Sequence, residues 1–71
     1  MINNKELLTM LNEEVDRYRH AESLLMKSFF YGRVLLLATL LENTQHKRYA
    51  SGLREKLGAE YIELCKRRLN K

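Results

Sequence analysis

The sequence predicts an all-α protein, a helical hairpin or three-helix unit completed by oligomerisation into a bundle, and three observations predict it. There is no proline, and the three glycines are isolated at positions 32, 52 and 58. Apolar residues recur at spacings of three and four, the period of one helical face, and not in strict alternation. The segment Phe29 to Leu41 carries ten apolar residues out of thirteen, distributed around nearly every face of a helix. A helix that is apolar all round must be covered on all sides. A 71-residue chain has little of itself with which to do so.

The first helix is expected over about residues 4–28. Asn3 stands as N-cap, Glu6 lies in capping-box position, and Ile2 and Leu7 are placed for a hydrophobic staple. Leu8, Leu11, Val15, Tyr18, Leu25 and Phe29 follow as one apolar stripe, broken at Glu22. Glu13 and Arg17 form an i,i+4 pair on the outside.

A second helix is expected over about 29–43. Either Ser28 caps it, or the chain runs through and bends at Gly32, since a helical glycine costs only about 1 kcal/mol relative to alanine. Its weakest apolar face is Gly32, Leu36, Thr39 and Asn43.

Asn43-Thr44-Gln45 is the best turn, with Asn43 suited to a left-handed position and Thr44 to a cap. A helical region over about 45–69 follows, with Ala50, Leu53, Leu57, Tyr61 and Leu64 as its stripe and Glu63–Arg67 as a supporting pair. Gly52 and Gly58 are the points at which it would divide.

Size and cysteine count narrow the means of stabilisation. One domain of this size has a core worth about 3–5 kcal/mol unless something adds to it. Cys65 is alone, so neither an internal disulfide nor a thiolate metal cluster can form. Helix packing and oligomerisation remain. A single free cysteine, charge before any apolar run at the N-terminus and no uncharged run longer than Val34–Leu41 lead to the expectation of a cytoplasmic protein without a membrane span.

Catalytic chemistry has no residue pattern to rest on, and the expectation is a protein that is not an enzyme, without cofactor, metal or small-molecule substrate. His20 is followed by Ala21-Glu22-Ser23, not by the Lys-Gly context of a phosphoryl-accepting histidine. Glu42 and His46 share one helix only if no turn falls at Asn43. Cys65 has cations beside it but no identifiable base, which reads as packing.

The functional expectation is a small protein–protein interaction module, of adaptor, co-chaperone or inhibitor type. It would act through Phe29, Phe30, Tyr31, Val34, Leu37 and Leu41, on a second copy of itself or on a heterologous helical partner. An alternative comes from charge. Residues 1–41 sum to zero, so the whole net charge of +4 belongs to residues 42–71. Lys47, Arg48, Lys66, Arg67, Arg68 and Lys71 are then candidates for nucleic-acid contact by a small basic dimer. Cations in a helix's last turn also complement its dipole, which needs no ligand.

Overall fold

The computed structural model describes residues 3–69, and they form three helices: α1 Asn4–His20, α2 Leu24–Leu40 and α3 Lys47–Leu69. The expected staple at Ile2 and the basic candidate Lys71 lie outside the described residues.

α1 begins as its sequence predicts: the Asn3 side chain accepts the Glu6 backbone N–H at 2.8 Å. It ends eight residues before the expected boundary. Ala21 takes an extended conformation, and Ser23 caps α2 by accepting the Met26 N–H at 3.1 Å. The break in the apolar stripe at Glu22 is therefore the turn itself. Ser28 is no cap: its hydroxyl donates back to the Leu24 carbonyl at 3.0 Å, inside α2, and also meets the Tyr61 hydroxyl across to α3. Gly32 is neither bend nor turn, because α2 passes through it without interruption.

The second turn falls at 41–46, around the predicted Asn43-Thr44-Gln45. The Thr44 hydroxyl donates to the Leu41 carbonyl at 2.7 Å and accepts the His46 N–H at 3.1 Å, closing α2 and leading into α3. Asn43 does not adopt the left-handed conformation expected of it; among the described residues no φ is positive. The two glycines of α3 do not divide it. Gly58 has a packing reason to be glycine, since a Cβ there would stand 3.1 Å from the Tyr31 hydroxyl.

α2 is the central element. α1 and α3 each pack against it, and their own backbones do not come within packing distance of each other. They meet through long side chains: Arg19 on Glu60 at 3.2 Å, and the Tyr49 hydroxyl donating to Asn12. The result is an elongated, thin body, with Cα extents of 44 × 18 × 13 Å. Its core is small: Leu11 and Tyr18 from α1, Val34, Leu37 and Ala38 from α2, Leu41 at its end, and Ala50 and Leu57 from α3.

Two polar features sit in this core. Glu14 is almost fully buried, which the stripe on α1 did not announce. Arg17 reaches its Oε1 at 2.6 Å, replacing the expected pairing with Glu13, and Arg33 of α2 brings its Nε to 3.0 Å from Oε2. Two guanidiniums therefore offset one buried carboxylate and tie α1 to α2. The second feature is Tyr18, 2% exposed, whose hydroxyl has no protein partner. Burial pushes its ionisation above the ordinary 10.0, and Glu60 nearby adds to the effect.

A raised tyrosine value means the unfolded state loses the proton first. The contribution of Tyr18 to stability is therefore full below about pH 10 and is lost as pH rises through the folded-state value. Tyr18→Phe removes an unpaired buried hydroxyl, whose burial costs about 1–3 kcal/mol, and should stabilise the fold by about 1 kcal/mol while flattening its alkaline loss. Urea unfolding at pH 7 and pH 10.5 measures both. A destabilisation above 1 kcal/mol at pH 7 would show that the hydroxyl is satisfied.

Candidate interaction surface

The helical period divides α2 into two apolar stripes of opposite direction. The inward one is Phe30 and Tyr31, then Val34, Leu37 and Ala38, then Leu41. Phe30 and Tyr31 are half-buried and the rest buried, because α1 and α3 both dock on this side. Tyr31 is held there by stacking on Tyr61, ring centroids 4.7 Å apart, and by a tilted contact with Tyr18 at 6.2 Å.

This corrects most of the interface expected from sequence. Val34, Leu37 and Leu41 belong to the chain's own core, and Phe30 and Tyr31 line it. Phe29 alone of the six is open to solvent.

The outward stripe is Leu25, Phe29, Gly32, Leu36 and Thr39, with Met26 and Leu40 beside it. Leu25 is 79% exposed, Met26 45%, Phe29 55%, Leu36 62% and Leu40 52%. Spacings of four, three, four and three residues place Leu25, Phe29, Gly32, Leu36 and Thr39 along one line, the seam geometry of a coiled coil. At Gly32 a Cβ would meet nothing within 4 Å, so the line dips at its middle.

The rim is fixed. Arg33 lies over the Phe29 ring, 5.6 Å from its centroid, while its Nε faces Glu14. Phe29 also meets Phe30 edge-on, centroids 5.2 Å apart. The buried carboxylate on α1 thus holds the cation that braces an exposed aromatic ring on α2.

Sequence reasoning missed Leu25, Leu36 and Leu40 as surface residues. The signal was present in the weak face Gly32, Leu36, Thr39 and Asn43, whose small and mildly polar members mark the outward side. Leu25 falls in the core stripe only of a first helix running to residue 28, and the turn at 21–23 removes it from that stripe.

The basic candidates do not form one patch. Lys47 and Arg48 open α3, whereas Lys66, Arg67 and Arg68 close it, about 28 Å away at 1.5 Å per residue. The fold adds Lys27 of α2 to the second group. Lys27 and Arg67 line one cleft of about 290 Å³ with Tyr18, Arg19, Glu60, Glu63 and Leu64. The Lys27 ammonium donates to the Tyr18 carbonyl at 3.0 Å, and Arg67 stands 3.9 Å from Glu63. His20 is exposed, its Nδ1 2.8 Å from the Asp16 carbonyl oxygen, and Cys65 is half-buried.

No helix among the described residues is long and apolar enough to cross a membrane. Comparison of the chain with models of known protein families, with curated proteins and with solved structures finds no match in any of the three.

Proposed function

We propose that the chain is a small helical interaction protein that works by self-association through the outer face of α2. The observation that carries this reading is the exposed apolar seam from Leu25 to Leu40. The open parts of Leu25, Met26, Phe29, Leu36 and Leu40 come to roughly 600 Å², the upper limit of the largest patch on an ordinary monomer. With Gly32, Arg33 and Thr39 between them, the face approaches the ~800 Å² per partner of a standard interface. Lys27 and Arg33 are the charged residues of α2, and Arg33 is already paired with Glu14, so closure leaves little charge to desolvate. Sedimentation tests the proposal: the unmodified chain should dimerise with rising concentration, and Leu36→Glu should remain monomeric.

A second reading, polyanion contact, draws on Lys27 joining Lys66, Arg67 and Arg68 at one end of the molecule. It predicts binding of a short DNA duplex that weakens by at least tenfold between 50 and 200 mM salt and is lost in a Lys27→Gln/Arg67→Gln/Arg68→Gln variant. Binding that ignores salt, or none at low salt, excludes it. Glu60 and Glu63 in the same cleft oppose this reading, and the self-association reading has the stronger support.

A further inference from the structure

We infer that the occupant of the α2 face is a second copy bound antiparallel, with Phe29 of each chain seated over Gly32 of the other. The inference rests on the self-association reading and adds its geometry. The seam carries large residues at Leu25, Phe29 and Leu36, and a gap at Gly32 where a Cβ would meet nothing within 4 Å. A parallel pairing in register sets like against like. Phe29 then opposes Phe29, and Gly32 opposes Gly32 across a void that packing does not tolerate.

An antiparallel pairing around a two-fold axis beside residues 30 and 31 sets unlike against unlike. Phe29 then opposes the second copy's Gly32, and Leu25 opposes its Leu36. The large residues of the seam, Leu25, Phe29 and Leu36, therefore each acquire an apolar or glycine partner from one operation. The surface is self-complementary, as an isologous two-fold interface requires.

Cysteine cross-linking in a Cys65→Ser background reads the geometry. Leu25 and Leu36 lie about 16 Å apart along one helix, beyond disulfide reach within a chain, so any bond between cysteines at these positions joins two chains. The Leu25→Cys/Leu36→Cys variant should give a covalent dimer under mild oxidation. Thr39→Cys should give none, because antiparallel pairing sets the two 39 positions about 25 Å apart along the axis. Gly32→Leu should keep its helical circular dichroism, leucine being the better helix former. It should also raise the dimer dissociation constant at least tenfold by filling the seat of Phe29.

A dimer that cross-links through Thr39→Cys, or one whose affinity is unchanged in Gly32→Leu, overturns the antiparallel geometry and leaves the self-association reading standing. An unmodified chain that is monomeric throughout overturns both.

Discussion

Replacing Leu36 with glutamate is expected to leave the three helices intact and to abolish association. Leu36 is 62% exposed in the single chain. A change at such a position alters the stability of the isolated fold by no more than about 0.5 kcal/mol, and glutamate forms helix nearly as well as leucine. In the associated state the same carboxylate would be pressed into an apolar seam. Burying it unpaired costs several kcal/mol, and each 1.4 kcal/mol is a tenfold loss of affinity. Circular dichroism should therefore match the unmodified chain while self-association weakens by more than a hundredfold.

The neighbouring position should behave in the opposite way. Leu37 is 7% exposed and belongs to the core that α1 and α3 close over α2. Leu37→Lys removes a buried side chain worth about 2–5 kcal/mol and adds the cost of desolvating an ammonium. A domain of this size has about 3–5 kcal/mol to lose. The variant should lack a cooperative thermal transition and most of its helical signal. A native-like melt would show that Leu37 is not enclosed within the chain. Two adjacent leucines thus separate the fold from its association, a distinction the composition of the segment does not reveal.

The helical class, the cap at Asn3, the turn near Asn43–Gln45 and the inward stripe of α3 were all legible from residue pattern. Each rests on local chemistry: a side chain that accepts a nearby N–H, or a period that repeats every three to four residues. The turn at 21–23 was harder to read, because the residues on both sides of it continue one apparent rhythm. Leu25 and Phe29 fall in phase with Tyr18 on paper, yet they point away from it once the chain reverses at Ser23.

The surface was legible in part. That α2 exceeds what its neighbours can cover follows from apolar residues on every face, and the uncovered seam is where that excess shows. Which residues make the seam depends on where α1 and α3 dock. No local signal carried that, apart from the small residues Gly32 and Thr39. Glu14 was not readable as a buried residue either, since its burial depends on Arg33 arriving from the next helix.

Sedimentation equilibrium of the unmodified chain beside Leu36→Glu, across micromolar to millimolar concentration, is the most direct test that the outer face of α2 is an association surface. The unmodified chain should approach twice its 8.5 kDa with rising concentration, while the variant remains at 8.5 kDa. An unmodified chain that stays at 8.5 kDa throughout, or a variant that associates equally well, would contradict it.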